Sequence, residues 1–274
     1  MIPRAYLSEI FSSLQGEGIY QGVRQIFIRF SSCNLNCDYC DTPQSRVIGN
    51  GCLVMGKKIP NPVPAEDLLG LLTNSRDHLI TLSPYQPIHS VSLTGGEPLL
   101  QVNFLVKLTP ALKKLGLKIY LETNGTLPEE LKKIVDLVDY IAMDIKLPSA
   151  TGKDLFSKHY EFLSVLRSTA KDERISENRL QIAPARHDLA GGNCKLQIKI
   201  VLTEKTLDEE IKKSINLIKK INPDIPLVLQ PVTAINGVYP PERKKIISWF
   251  TLAKGSLRDV RIIPQKHVSN AGLE

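Results

Sequence analysis

The sequence predicts an α/β protein folded as a partial, laterally open (β/α)6 barrel. Three observations point there: short apolar strands alternate with helix-period segments, about six such repeats fit in 274 residues, and polar residues collect where successive strands end. Six repeats are too few for a complete eightfold barrel, and ligands of such barrels sit at the carboxyl ends of the strands.

The first strand covers 25–30, Gln25-Ile26-Phe27-Ile28-Arg29-Phe30, where alternation puts Ile28 and Phe30 on one face and Arg29 on the other, toward the barrel interior. A helix is expected at 65–73, then a strand at 89–94, a helix at 101–115, a strand at 118–123, a helix at 128–137 and a strand at 140–145. The rhythm resumes with a strand at 195–202, a helix at 206–220, a strand at 226–230, a helix at 240–253 and a last strand at 259–263. Two stretches break it. Residues 45–64 carry Gly49, Gly51, Gly56, Pro60, Pro62 and Pro64 and read as a hairpin-like excursion; residues 168–193 are polar and irregular, with Gly191-Gly192. Both are expected to cover the open mouth of one domain spanning 1–274.

The composition, 42% hydrophobic and 23% charged, is that of a soluble globular chain with material for one large core. No apolar run approaches the roughly 20 residues that span a bilayer, so no membrane association is expected. The formal charge is +7, but the lysines are spread over segments such as Leu112-Lys113-Lys114, Leu131-Lys132-Lys133 and Ile211-Lys212-Lys213, which read as solvated helix faces. Nucleic acid is therefore not an expected partner. The positive balance would help attract an anionic substrate or an acidic electron-donor protein.

Directly after the first strand come Cys33, Cys37 and Cys40, spaced C-x3-C-x2-C. A cubane of four irons ordinarily takes four thiolates. This loop offers three, which leaves one iron open to a chelating ligand and favours reactivity over plain electron transfer. A structural zinc site wants four closed ligands, and Cys52 and Cys194 form no C-x-x-C pair. A disulfide framework suits small secreted chains, whereas this chain is long and begins without a charged-then-apolar leader, so a cytoplasmic location with reduced thiols is expected. Cys52 and Cys194 read as ordinary buried or half-buried thiols.

Further polar groups gather at the same end of the predicted barrel. Val91-Ser92-Leu93 runs into Thr94-Gly95-Gly96-Glu97-Pro98, where a double glycine bares backbone to a ligand and Glu97 adds a carboxylate. The next strand ends in Glu122, Thr123, Asn124 and Gly125, and the one after it in Asp144, Ile145 and Lys146.

At these residues the chain resembles the radical S-adenosylmethionine enzymes, in which a C-x3-C-x2-C loop is followed by G-G-E. Within them it is similar to the 7-carboxy-7-deazaguanine synthases, through Glu9 to Gly18, Gly22, Phe27 to Phe30, Cys33 to Thr42, Thr94 to Pro98, Glu122 to Gly125, Asp144 to Lys146, Leu229 to Val232 and Pro264 to His267. The resemblance covers most of the chain and excludes 45–64 and 168–193. It implies the barrel of that superfamily and a 4Fe-4S cluster on Cys33, Cys37 and Cys40, with S-adenosyl-L-methionine chelating the fourth iron and giving a 5′-deoxyadenosyl radical on reduction.

The resemblance also implies conversion of 6-carboxy-5,6,7,8-tetrahydropterin to 7-carboxy-7-deazaguanine with loss of ammonia, on the route to queuosine and related deazapurines. Hydrogen would leave the pterin C6 and return after rearrangement. Leu14, Gln15, Gly16 and Thr94 would border the pterin, Arg29 would bind its carboxylate through a planar fork, and Thr42 would contact Mg2+. Tyr39, Asp41, Gly96, Glu97, Glu122, Asn124, Asp144, Ile145 and Lys146 would surround S-adenosylmethionine, with Gly96 and Glu97 at the methionyl amine. Gln230 and His267 are weaker candidates, and no side chain is expected to act as a nucleophile. A flavodoxin or ferredoxin as reductant and a homodimer are implied as well. The tail 268–274 departs from the shorter family pattern, in which the terminus helps close the pocket. Two other readings compete: an activase that makes a glycyl radical on a partner protein, and a non-catalytic cluster or zinc protein.

Overall fold

Alternation decides how each strand is used. Along Arg24–Phe30, Ile26, Ile28 and Phe30 are fully buried in the main hydrophobic core, whereas Phe27 and Arg29 face a central cavity. The same period of two recurs in strand after strand, as side chains on opposite faces of a pleated sheet require. The computed structural model describes residues 3–73, 87–168 and 194–266. In chain order its strands and helices are β1 (Arg4–Ala5), β2 (Leu7–Leu14), β3 (Arg24–Phe30), β4 (Gly51–Val54), β5 (Lys57–Pro60), β6 (Val63–Pro64) and α1 (Ala65–Thr73). Next come β7 (Ser90–Gly95), α2 (Val102–Lys114), β8 (Ile119–Thr123), α3 (Pro128–Lys132), β9 (Tyr140–Asp144), α4 (Pro148–Thr151) and α5 (Phe156–Ser168). The last are β10 (Lys195–Leu202), α6 (Asp208–Ile221), β11 (Leu227–Pro231), α7 (Arg243–Lys254) and β12 (Val260–Ile262).

The main sheet runs β12-β11-β10-β9-β8-β7-β3-β2-β4-β5. From β3 through β12 every neighbouring pair is parallel and spatial order equals chain order, which is the winding of a βα barrel rather than of a doubly wound sheet. Val91 and Leu93, Ile119 and Leu121, Ile141 and Met143, Ile198 and Ile200, and Leu227 and Leu229 point out into the core shared with the helices. Burying each of these side chains stabilises the fold by about 1.5–3 kcal/mol. Inward stand Thr94, Tyr120, Glu122, Ala142, Asp144, Gln197, Lys199 and Gln230, and all of them line one cavity. Toward the amino ends of the strands the interior is filled by Tyr20, Tyr120 and Tyr140, with ring centroids 5.1–6.0 Å apart.

The sheet does not close. Among the described residues β5 and β12 each pair on one side only, so the barrel is laterally open as the sequence predicts. At the carboxyl rim the gap is bridged by the segment after β12: Lys266 N–H donates to Gly16 O (3.0 Å) and Gln21 Nε2 donates to Pro264 O (3.1 Å). A Cβ on Gly16 would collide with Lys266 O, so only glycine lets the two edges come this close.

One expectation needs correction. Residues 45–64 do not cover the mouth: β4 and β5 form a hairpin that pairs through β4 onto β2 and lengthens the sheet, and only Arg46 of this stretch reaches the cavity. Residues 169–193, His267 and the tail 268–274 lie outside the described residues. No helix among the described residues is long and apolar enough to cross a membrane.

Candidate active site

The cavity, about 400 Å3, opens at the carboxyl ends of the parallel strands. Its upper wall is the cysteine loop. Chain leaving β3 turns at Ser32, a non-glycine residue with φ +79°, and is stitched at once to the end of β7: Gly96 N–H donates to Phe30 O (2.9 Å) and Glu97 N–H to Ser32 O (2.8 Å). A Cβ on Gly95 or Gly96 would strike the backbone of Phe30 or Ser32. The double glycine is therefore required by the close approach of the loop, while both residues still line the cavity.

Cys33, Cys37 and Cys40 are free, partly exposed thiols on the cavity wall, and Cys52 and Cys194 lie elsewhere. Burial pushes the Cys33 and Cys37 thiols up, and the Lys146 ammonium opposes this at Cys37. Among the described residues no three His, Cys, Asp or Glu side chains converge tightly enough to hold a single ion. Three thiols spread around one wall suit a cluster several ångströms across, with thiolates at three corners, better than they suit zinc. Tyr39 is buried against Cys37, Ala150, Val201 and Val232, with Lys146 Nζ 5.3 Å from its ring centroid. Thr42 precedes the 3-10 turn Pro43–Arg46, lines the cavity, and keeps its hydroxyl free of any capping bond. Asp41 accepts from Gln265 Nε2 (2.7 Å).

Two sequence-predicted contacts stand back from the cavity. Glu97 is fully buried: Oε1 accepts from Leu99 N–H (3.1 Å) and Thr123 Oγ1 (2.9 Å), and Oε2 accepts from Asn124 N–H (2.8 Å). It braces the β7 end to the β8 end, and burial raises its carboxyl to about 7 against the pull of those donors. The Ile145 side chain packs in the core, leaving only its backbone near the rim. Gln15 lines the cavity but has every polar atom engaged. Nε2 donates to Glu122 Oε1 (2.8 Å) and Gln25 Oε1 (3.0 Å), Oε1 accepts from Glu17 N–H (3.1 Å), and its backbone pairs with Gly22 and Val23. It is an internal strut that aims Glu122. Ser92 and Thr94 donate to the same carboxylate (2.9 and 2.8 Å), so Glu122 groups with Gln15 and Thr94.

On the facing wall Lys146 Nζ pairs with Asp144 Oδ2 (2.6 Å), Lys199 Nζ lies 3.3 Å from Asp144 Oδ1 and also pairs with Glu17, and Gln230 Nε2 donates to Glu17 Oε1 (3.0 Å). Burial alone would raise the Asp144 carboxyl, but the two ammonium groups hold it below the usual range. Lys199 and Gln197 are site residues that the sequence reading does not name, although both are inward positions of an alternating strand, the signal that turns Arg29 toward the interior. Arg29 stands across from this network, its guanidinium 5.6 Å from the Phe11 ring centroid and 3.6 Å from Glu9 Oε2, with a buried Nε that has no hydrogen-bond partner.

Behind the site His159, on α5, donates from Nε2 to Asn124 O (3.2 Å), a tautomer assigned from that contact. Burial lowers its pKa from 6.5 to about 4. The unfolded chain then takes up a proton that the folded chain refuses, so stability present above pH 6.5 is lost as the pH falls toward 4, by about 3 kcal/mol. Glu97 acts with opposite sign, losing stability as the pH rises from 4.5 to about 7. His159→Phe isolates the first effect: urea melts of metal-free protein at pH 7 and pH 4.5 should show the variant gaining on the wild type in acid. A constant difference between the two proteins would refute it.

Comparison with known proteins agrees with this geometry. The family model described as the radical SAM superfamily matches residues 27–171. The 7-carboxy-7-deazaguanine synthase of Geobacter sulfurreducens is 38% identical over 97% of this chain and 96% of that protein. The enzyme of the same name from Archaeoglobus fulgidus is 35% identical over 96% of this chain and 97% of its own length. In fold, the crystal structure of QueE from Escherichia coli matches with a TM-score of 0.56 at 19% identity, covering 96% of this chain and 95% of that one. With its three-cysteine loop and its barrel agreeing with near full-length relatives, the chain belongs to the radical S-adenosylmethionine superfamily and, within it, to the 7-carboxy-7-deazaguanine synthases.

Proposed function

We propose that Cys33, Cys37 and Cys40 hold a 4Fe-4S cluster, that S-adenosyl-L-methionine binds beside it, and that the pocket below takes 6-carboxy-5,6,7,8-tetrahydropterin for conversion to 7-carboxy-7-deazaguanine with loss of ammonia. The observation that carries this reading is that one cavity joins the three thiols to Arg29 and to the Glu122 carboxylate. Bound and reduced, the cluster with its S-adenosylmethionine supplies hydrogen abstraction; the chain supplies binding, aim and exclusion of water. Arg29, whose Nε is ion-paired with Glu9 but makes no hydrogen bond, offers its planar fork to the substrate carboxylate, with Phe11 supporting the guanidinium. Glu122, held as an acceptor by three donors, meets the N–H groups of the pterin ring, and Gln15 acts through it rather than on the ligand. Gly95 and Gly96 border the methionyl group, and Tyr39, Asp41, Asp144 and Lys146 the nucleoside. Anaerobic reconstitution with iron and sulfide, reduction, and assay for 5′-deoxyadenosine test the proposal, and absence of cleavage would return the chain to a binding module.

Magnesium enters through Thr42, whose free hydroxyl stands two residues beyond the last cysteine. Thr42→Val should raise the magnesium needed for half-maximal turnover about tenfold, the lower end of what metal-site contacts are worth, and leave the cluster in place. Equal magnesium dependence in the two proteins would remove Thr42 from the metal site. The reading also includes an acidic flavodoxin or ferredoxin as electron donor, favoured by the formal charge of +7. A cytoplasmic setting is supported by Cys33, Cys37, Cys40 and Cys52, which form no disulfide. A homodimer rests on family likeness.

A further inference from the structure

At the start of the cysteine loop three side chains close a ring of hydrogen bonds. Asn34 Nδ2 donates to Thr126 Oγ1 (2.8 Å), the Thr126 hydroxyl donates to Asn124 Oδ1 (2.6 Å), and Asn124 Nδ2 donates back to Asn34 Oδ1 (2.8 Å). The ring fixes which way the Asn124 amide faces, because Thr126 N–H also donates to Asn124 Oδ1 (3.1 Å) and a flipped amide would set donor against donor. The Asn124 backbone is held as firmly, its N–H by Glu97 and its carbonyl by His159. Asn124 is buried, and one N–H of its amide remains outside the ring. That N–H is directed at Cys33 Sγ, 4.0 Å from Nδ2.

We propose that Asn124 is a positioning residue that sets the reduction potential of the cluster by donating a hydrogen bond to the Cys33 sulfur, the ring with Asn34 and Thr126 supplying its aim. The proposal rests on the reading that Cys33 ligates iron. A contact of 4.0 Å is long for a thiol, but a charged acceptor draws its donor in, and an iron-bound thiolate is such an acceptor. One-electron reduction adds negative charge that the cluster sulfurs share, so an N–H aimed at one of them stabilises the reduced form and raises the potential. The reference sulfurs are close at hand, since no side-chain hydrogen bond reaches Cys37 or Cys40 among those described. This role differs from a contact with S-adenosylmethionine, the one the sequence assigned to Asn124.

The test is a redox titration of reconstituted protein without S-adenosylmethionine, followed by the electron paramagnetic resonance of the reduced cluster, alongside iron content. Asn124→Leu, which removes the donor and keeps much of the volume, should move the midpoint to more negative potential. Thr126→Val, which opens the ring but retains the amide and the Thr126 N–H that holds Asn124 Oδ1, should lower cluster retention with a smaller shift in the same direction. Asn124→Ala replaces the leucine variant, under the same criterion, if that protein retains no cluster. A midpoint unchanged in the Asn124 variant, or moved equally in both, would overturn the proposal, because a residue that only braces the loop alters iron content without the potential of the iron retained. Wild-type protein that assembles no cluster would instead overturn the reading beneath it.

Discussion

Cys37→Ala should leave a folded but colourless protein that takes up no cluster, whereas Cys52→Ala and Cys194→Ala reconstitute to the brown colour and iron content of the wild type. Cys37 lines the cavity on the same loop as Cys33 and Cys40, and its thiol packs toward Tyr39 and Lys146. With two thiolates in place of three, the cubane loses a second iron corner to solvent and has no other cysteine within the cavity to replace it. Cys52 is buried in the sheet core, where burial pushes its thiol up to about 12 and leaves it a small apolar residue. Iron content per chain is the measurement. Loss of iron in Cys52→Ala or Cys194→Ala would mean that the ligand set is wrong.

Arg29→Ala should cripple binding of the carboxypterin and spare S-adenosylmethionine. The guanidinium lies inside the barrel, its Nε buried, without a hydrogen bond and facing only the half-exposed Glu9 carboxylate at 3.6 Å, so a substrate carboxylate would meet a charge that water screens poorly. Removing one partner of such a pair costs about 2–5 kcal/mol, or roughly 30-fold to several thousand-fold in Kd, where an exposed pair is worth at most about 1 kcal/mol. Arg29→Lys should recover only part of this, since an ammonium keeps the charge and loses the fork. Anaerobic calorimetry with each ligand, magnesium present, measures both affinities. Unchanged carboxypterin affinity in Arg29→Ala would remove the substrate assignment and reopen the case for a protein substrate.

Much of the barrel was legible because its strands are buried on one face and wet on the other. Ile26, Ile28 and Phe30 against Phe27 and Arg29 state the period of two outright, and the strand at 195–202 does the same. β2 is hidden in the sequence because its register shifts between Leu7 and Glu9, which breaks the alternation, and because it pairs antiparallel outside the βα rhythm. The hairpin β4–β5 is legible as a hairpin but not in its position, since composition reveals a turn but not the edge it joins. Helix α5 is not legible in the sequence: Phe156–Ser168 mixes Lys158, His159 and Glu161 with its apolar positions, and His159 turns inward. In the site, spacing located the cysteines and strand ends located Asn124 and Asp144. What spacing does not encode is commitment. Glu97 reads as a ligand contact as a carboxylate at a strand end, and Gln15 through the family resemblance alone; that their side chains hydrogen-bond within the protein is disclosed only by the fold.

The central claim, that a cluster loop and a carboxylate-reading pocket share one cavity to make a deazapurine from a pterin, is tested most directly by turnover. Reconstituted protein would be incubated anaerobically with 6-carboxy-5,6,7,8-tetrahydropterin, S-adenosylmethionine, magnesium and a strong reductant, and the products separated and weighed by mass spectrometry. The account predicts 7-carboxy-7-deazaguanine and ammonia in equal amounts, with S-adenosylmethionine regenerated over many turnovers. Cleavage of S-adenosylmethionine to 5′-deoxyadenosine with the pterin recovered unchanged would contradict it.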